Sequence, residues 1–137
     1  MNILFICKHN RFRSKVAETF FKKLNKNKKI KVNSGGISLD ILRPYIEKNV
    51  IKMMKEKDCD IKGKPKRITN KSIREANLII IVADNVNKEY FSNSNARIIK
   101  WKIMDCDASD IKNIKRAINQ IEHKVKRLIG EHKITKN

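Results

Sequence analysis

The stretch Cys7-Lys8-His9-Asn10-Arg11-Phe12-Arg13-Ser14 follows directly on the apolar run Ile3-Leu4-Phe5-Ile6. It places a thiol at the end of a buried-strand pattern, with two guanidinium groups and a hydroxyl close behind. A loop of this length between a strand and a helix can wrap the backbone N–H groups of Lys8, His9, Asn10, Arg11 and Phe12 around a small oxyanion, and the helix dipole adds to them. The same field stabilises a thiolate, since cysteines at helix N-termini beside cationic groups are the nucleophilic ones. Arg13 carries a planar fork that grips two oxygens of a tetrahedral or trigonal-bipyramidal anion. Ser14 is placed to hydrogen-bond the sulfur and so make it a better leaving group later. Asn10 tolerates the left-handed backbone region and suits a bracing position. The chemistry this serves is nucleophilic attack on phosphorus or arsenic. A cysteine ending a buried strand is also an ordinary small hydrophobe. The strand-to-helix junction and the company of Asn10 and Arg13 set Cys7 apart.

The elements that must position these residues follow from periodicity. Ile3 to Ile6 is a strand covered on both faces. From Ser14, a natural N-cap, the residues Val16, Ala17, Phe20, Phe21 and Leu24 share one helical face. Ile30 and Val32 alternate with Lys29, Lys31 and Asn33 in a second strand that stops at Gly35-Gly36. Pro44 opens a helix with Ile46, Val50, Met53, Met54 and Lys57 at helical spacing. Asp60 to Thr69, with Gly63 and Pro65, is a loop, and Lys71 to Ala76 forms one or two helical turns. Leu78 to Val82 is the clearest strand, and Ala96 to Ile103 is another. Ile111, Ile114, Ile118, Ile121, Val125 and Leu128 make the core stripe of a long last helix. Strands and helices alternate throughout, which predicts a three-layer α/β domain over residues 1–137, its small parallel sheet covered by helices on both faces. In such sheets ligands sit beyond the carboxyl ends of the strands. Cys7 ends the first strand and Asp105 follows the last, so the topology directs both to one rim.

Composition narrows the class. The 137 residues fit one domain with a real core, and 40% hydrophobic content with only 4 Gly and 2 Pro excludes a low-complexity chain. Three cysteines, without metal-ligand spacing or a secretory signal, fit a reducing, cytoplasmic setting. The N-terminal apolar run is too short to span a membrane. A net charge of +19, from 33 Lys+Arg against 14 Asp+Glu, invites a nucleic-acid ligand. The lysines are nevertheless scattered, aromatics are 6%, and no stacking motif is present, which argues against nucleic acid and for attraction of small anions. The densest run, Lys22 to Lys29, reads as a helix end and a solvated turn. His123 and His132 read as solvated, Cys59 as helix-end filler, and Trp101 as an anchor for the last strand.

The stretch ILFICKHNRFRSKVAE resembles the opening of the low-molecular-weight protein tyrosine phosphatases, whose signature is Cys, five residues, Arg and Ser after the first strand. NSGGIS, ANLIIIVADNVNK and WKIMDCD resemble three further segments of that family, in order and spacing over roughly residues 2–130. The resemblance implies a flavodoxin-like strand order 2-1-3-4 and hydrolysis through a phosphocysteine. Cys7 would be the nucleophile and Arg13 the ligand of the phosphoryl oxygens. Asn10 and Ser14 would support loop and thiolate. Asp105 would act as the general acid, then as the base that activates water. Phosphate binding would fall to Lys8, His9, Asn10, Arg11, Phe12, Arg13 and Ser14. The implied substrates are a phosphorylated protein or a small aryl phosphate, with phosphate, vanadate and arsenate as competing anions. No metal and no organic cofactor is implied. Locally, Asp107 and Ser109 read as capping residues of the last helix and Asp110 as a first-turn acid.

Three departures from the family pattern stand out. His9 replaces the usual Gly, so the loop must accommodate a Cβ there. Phe12 replaces a frequent second cysteine, and Cys106-Asp107-Ala108 replaces the Pro and tyrosines that follow the acid. Thioredoxin-coupled arsenate reductases share the fold and loop, which makes arsenate reduction the alternative enzyme, with Cys106 as the thiol beside the presumed acid. A non-catalytic anion- or nucleic-acid-binding module is the alternative from outside enzymology.

Overall fold

The apolar runs Ile3–Ile6 and Leu78–Val82 form the two central strands, β1 (Asn2–Cys7) and β3 (Leu78–Val82), as two-sided burial requires. A computed structural model describes the backbone of residues 1–135 and the side chains of residues 1–131; His132 therefore lies outside the described side chains. Two outer strands, β2 (Lys31–Gly36) and β4 (Arg97–Trp101), complete a parallel sheet in the order β2-β1-β3-β4, as expected. The helices are α1 (Arg13–Leu24), α2 (Lys48–Glu56), α3 (Asn70–Glu75) and α4 (Ile111–Thr135).

The register brings the carboxyl ends of all four strands to one edge: Cys7 lies beside Gly36, Ile6 beside Ile81, and Val82 beside Trp101. Side chains alternate across the sheet. Ile3, Phe5, Ile80 and Val82 face the larger core, closed by Val16 and Phe20 of α1, Met54 of α2, and Ile118 and Ile121 of α4. Leu4, Ile6, Ile79 and Ile81 face a thinner layer made by α3 and a 3-10 turn at Lys88–Phe91, with Phe91 buried in it. Trp101 packs on Phe5 at 5.8 Å between ring centroids, within the larger core, as its anchoring role predicts. His123 is exposed on α4. Among the described residues no helix is long and apolar enough to cross a membrane.

Several boundaries differ from the sequence expectation. Ser14 is no N-cap: α1 begins at Arg13, Phe12 occupies the cap without a side-chain bond, and Ser14 lies inside the first turn. α2 begins at Lys48, four residues after Pro44, because Arg11 binds the intervening backbone. Its Nε donates to Tyr45 O at 2.9 Å and its carbonyl accepts from Glu47 N–H at 3.3 Å. Ile111 is 47% exposed, so the buried stripe of α4 starts at Ile114. The cap of α4 is Asp110, whose carboxylate accepts from Asn113 N–H at 3.2 Å, whereas Asp107 binds Ser109 ahead of the helix.

The edge admits no side chain at Gly36. A Cβ there would stand 2.8 Å from His9 C, 2.9 Å from Lys8 O and 3.0 Å from Asn10 N, all backbone atoms of the loop after β1. Gly36→Ala should therefore cost about 1–3 kcal/mol in denaturant unfolding, as overpacking does. Gly130→Ala, in open space within α4, should add about 0.5–1 kcal/mol by lowering the entropy of the unfolded chain. Equal effects of the two substitutions would remove the close approach as the reason for Gly36.

Candidate active site

The loop Lys8–Phe12 turns from β1 into α1 through one left-handed residue, Asn10, with φ +57°. His9, expected to be the awkward position, keeps negative φ, and its Nδ1 lies 3.3 Å from Ser38 O. Among the described residues the backbone N–H groups of Lys8, His9, Asn10, Arg11 and Phe12 have no protein acceptor. The carbonyls of Cys7 and Lys8 are instead tied down, accepting from Ile37 N–H and Ser38 N–H at 3.1 Å each.

Behind this loop runs a buried hydrogen-bond chain whose direction chemistry dictates. Glu18 is a carboxylate and only accepts, so Ser34 Oγ donates to it at 2.6 Å. Burial opposes the Glu18 charge, but hydrogen bonds from Lys22 and Ser34 and the nearby Lys15 overcome it and hold the carboxyl below its ordinary range. Ser34 then accepts from Asn10 Nδ2 at 3.0 Å, and the same amide nitrogen donates to Ser14 Oγ at 2.7 Å. Asn10 Oδ1 accepts from Lys66 N–H at 3.0 Å, which fixes which end of the amide points where. Ser14 Oγ lies 2.9 Å from Cys7 Sγ. Accepting from Asn10 leaves the Ser14 hydroxyl its proton, which can be donated to the sulfur.

Arg13 is 3% exposed and held from three sides. One terminal nitrogen donates to Asp84 Oδ1 at 3.1 Å and to Ile103 O at 2.9 Å, and the other donates to Asn85 Oδ1 at 3.0 Å. Asp105 Oδ2 lies 3.9 Å from that second nitrogen. None of these bonds uses Nε. Arg11, by contrast, turns its side chain to Glu47 in an ion pair and lies 5.1 Å from the centre of the Tyr45 ring. Its charge is committed to the 45–47 segment.

A cleft of about 270 Å³ opens on this edge. Cys7, Lys8, His9, Arg11, Phe12, Arg13 and Asp105 line it, and Val50, Ala108 and Ile114 supply apolar wall. Asn10 and Ser14 are fully buried behind it. The sequence-predicted set is thus brought together in two layers. Cys106 also lines the cleft. Burial, and then the carboxylates of Asp105, Asp110 and Asp107, push its thiol up. Cys59 is buried beyond the end of α2, and burial pushes its thiol up as well. Asp107 is held below the ordinary carboxylate range, first by the backbone N–H of Ser109 and then by its hydroxyl. Sequence reasoning missed the supporting residues Asp84, Asn85, Ser34, Glu18 and Glu47. Asp84 and Asn85 carried a signal, two polar residues directly after the strongest strand. Glu18 carried none, since its spacing to Lys22 reads as a surface pair.

Fold and site together define a protein with a cysteine at the head of a loop of unpaired backbone N–H groups, at the edge of a doubly covered parallel sheet. The chain matches the model of the low molecular weight phosphotyrosine protein phosphatases over residues 2–137 and belongs to that family. No curated protein sequence matches it. Its fold is that of the YwlE arginine phosphatase from Geobacillus stearothermophilus, at TM-score 0.84 and 17% identity, covering 98% of this chain and 94% of that one. A low molecular weight protein tyrosine phosphatase from T. tengcongensis is similar at TM-score 0.83 and 19% identity, covering 96% and 99%. An arsenate reductase from Archaeoglobus fulgidus follows at TM-score 0.75 and 24% identity, covering 93% and 98%.

The reactivity of the three thiols separates them. Iodoacetate, itself an anion, should alkylate Cys7 at neutral pH far faster than Cys59 or Cys106, and phosphate or vanadate should protect Cys7. Labelling of Cys106 should rise only at alkaline pH, where its thiol finally ionises. Equal labelling of all three, indifferent to phosphate, would count decisively against an anion cradle.

Proposed function

We propose that the chain is a cysteine-dependent phosphatase that hydrolyses aryl phosphate monoesters, protein phosphotyrosine among them, through a phosphocysteine intermediate. One observation carries the reading: the buried chain from Glu18 through Ser34 and Asn10 ends at Ser14 Oγ, 2.9 Å from Cys7 Sγ, where the hydroxyl can donate to a thiolate. Such a chain stabilises a thiolate and later a leaving sulfur. In the first step the thiolate attacks phosphorus and the P–O bond to the aryl group breaks. Asp105 gives its proton to the departing oxygen. In the second, the Asp105 carboxylate takes a proton from water, whose oxygen attacks phosphorus, and the S–P bond breaks to return the thiolate and release phosphate. Arg13, pre-set by Asp84, Asn85 and Ile103, and the unpaired loop N–H groups would bind the phosphoryl oxygens as their charge spreads. The apolar wall of Phe12, Val50 and Ile114 suits an aromatic leaving group.

Asp105 is preferred to Asp107 as the acid because Asp107 spends its carboxylate on Ser109 and is held ionised. Cys7→Ser should abolish turnover. Asp105→Asn should slow phenyl phosphate much more than p-nitrophenyl phosphate, whose leaving group needs little protonation, by up to about 10²–10⁴-fold in kcat. Asp107→Asn should leave that ratio near the wild-type value. A leaving-group-dependent loss in Asp107→Asn and none in Asp105→Asn would reverse the assignment.

A second reading has one observation behind it: Cys106 and Cys7 line the same cleft. In arsenate reduction the Cys7 thiolate would attack arsenic and an As–O bond would break, the oxygen leaving as water with a proton from Asp105. The Cys106 thiolate would then attack the Cys7 sulfur, and the S–As bond would break with its electron pair passing to arsenic. The disulfide formed would supply the two electrons that take As(V) to As(III). The raised Cys106 thiol works against this, because the attacking species is a thiolate. Cys106→Ser should therefore keep near-normal phosphatase turnover, and wild type should show no thioredoxin-dependent arsenate turnover. Sustained arsenate reduction lost in Cys106→Ser would make the second reading the first.

A further inference from the structure

On the far side of α1 from the catalytic cleft lies a larger cavity of about 700 Å³. Six lysines line it: Lys15, Lys22, Lys23, Lys62, Lys64 and Lys66. Against them stand Glu18, Asp58 and Asp60, which leaves a formal charge of +3. Of these six lysines, Lys15 is buried, and the other five stand exposed around one concavity.

Lys15 is the telling residue. Its side chain is 4% exposed, yet its only charged partner is Glu18 at 3.6 Å, beyond hydrogen-bond reach. Glu18 is itself occupied, accepting from Lys22 at 2.8 Å and from Ser34 at 2.6 Å. The stem of Lys15 is buried, but among the described residues its nitrogen is not one of the sealed, unpartnered polar atoms: it keeps access to the cavity whose wall it forms. Burial pushes the Lys15 ammonium below its ordinary range, and Glu18 only partly restores it. The Lys62-Gly63-Lys64-Pro65-Lys66 turn closes the other side. Gly63 adopts φ +84°, and a Cβ on it would lie 3.5 Å from Lys15 Nζ, so the turn sits directly against the ammonium. Lys62, Lys64 and Lys66 have no carboxylate partner among the described ion pairs.

We propose that this cavity is a second anion site, separate from the Cys7 cradle, which takes a short chain of linked phosphates with one phosphate on Lys15 and the others on Lys62, Lys64 and Lys66. The shape of the charge selects the class. Four cations around one concavity match a compact ligand with several adjacent charges better than a single phosphate. No aromatic ring lines the cavity, so a nucleobase has nothing to stack on, and the phosphate chain itself is the recognised part. The occupant would rest against the support of the nucleophile, since Lys66 N–H holds Asn10 and Glu18 holds Ser34.

The test is calorimetric titration of sodium tripolyphosphate into the full chain carrying Cys7→Ser, at an ionic strength of about 0.15 M so that diffuse attraction is screened. Binding should survive addition of Arg13→Ala, which disables the cradle. It should weaken about tenfold or more when Lys62→Ala and Lys64→Ala are added, and likewise with Lys15→Met. In the otherwise wild-type chain, Lys62→Ala with Lys64→Ala should leave aryl phosphate turnover unchanged, and these exposed turn positions decide the matter if Lys15→Met does not fold. Loss of binding with Arg13→Ala but not with the paired lysine variant would overturn the proposal, because the cradle would then be the anion site. So would an affinity that no variant alters, which is diffuse charge only. Tighter binding of a short single-stranded oligonucleotide than of tripolyphosphate at the same lysines would overturn it in favour of a nucleic-acid groove.

Discussion

A loop that leaves five backbone N–H groups without protein acceptors cannot hold its own shape by backbone bonds, and here the side chain of Asn10 does the holding. Its amide makes three bonds to three separate parts of the chain: Ser14 in the first turn of α1, Ser34 in β2, and the backbone of Lys66. The bonds to Ser14 and Ser34 are buried and that to Lys66 is half-buried, so a lost partner leaves a desolvated polar group at a cost of about 1–3 kcal/mol. Asn10 is also the residue at φ +57°. Asparagine meets both demands, because it tolerates the left-handed region better than most side chains and carries a donor and an acceptor on one short stem. A glycine there would give the backbone angle and none of the bonds.

The second constraint is the burial of Arg13. Moving a guanidinium out of water costs several kcal/mol unless its donors are met. Asp84, Asn85 and the Ile103 carbonyl meet them, and all three come from the carboxyl ends of β3 and β4. Arg13 therefore couples the start of α1 to the far half of the sheet. The order β2-β1-β3-β4 is what makes that possible, because it seats β1 and its loop between β2, which supplies Ser34 and Gly36, and β3, which supplies Asp84. The bonding uses three of the five N–H donors, so the geometry that satisfies the burial also leaves Nε–H and one terminal N–H for a ligand.

Charge is managed differently at two neighbouring positions in the first turn of α1. At its start, Arg13 has a carboxylate, an amide and a carbonyl within hydrogen-bond distance. One residue past Ser14, Lys15 is as deeply buried and has only a distant carboxylate that two other donors already use. Among the described residues the net +19 thus hides three buried cations, of which Arg11 and Arg13 have close acceptors and Lys15 does not. Sequence alone does not distinguish them, because the acceptors of Arg11 and Arg13 lie far along the chain.

What the sequence determines here is whatever depends on period and local backbone chemistry. The all-apolar runs at Ile3–Ile6 and Leu78–Val82 place the central strands, since only strands covered on both faces read that way. The three- and four-residue spacing from Ile114 to Leu128 places α4, and the tolerance of Asn for positive φ picks out the residue on which the loop turns. Cys7 and Arg13 are legible for the same reason, as strand end and helix start are local features. Tertiary structure decided which donor meets which acceptor. Ser34 lies 24 residues from Asn10, Lys66 lies 56 away, and Asp84 lies 71 from Arg13, and no local pattern records such pairings. It also moved Ser14 from a capping role to the sulfur, delayed α2 by tying residues 45–47 to Arg11, and buried Glu18 where its spacing to Lys22 suggested a surface pair. Periodicity records how much of a residue is buried, whereas hydrogen-bond partners depend on which distant backbone the packed sheet brings alongside it.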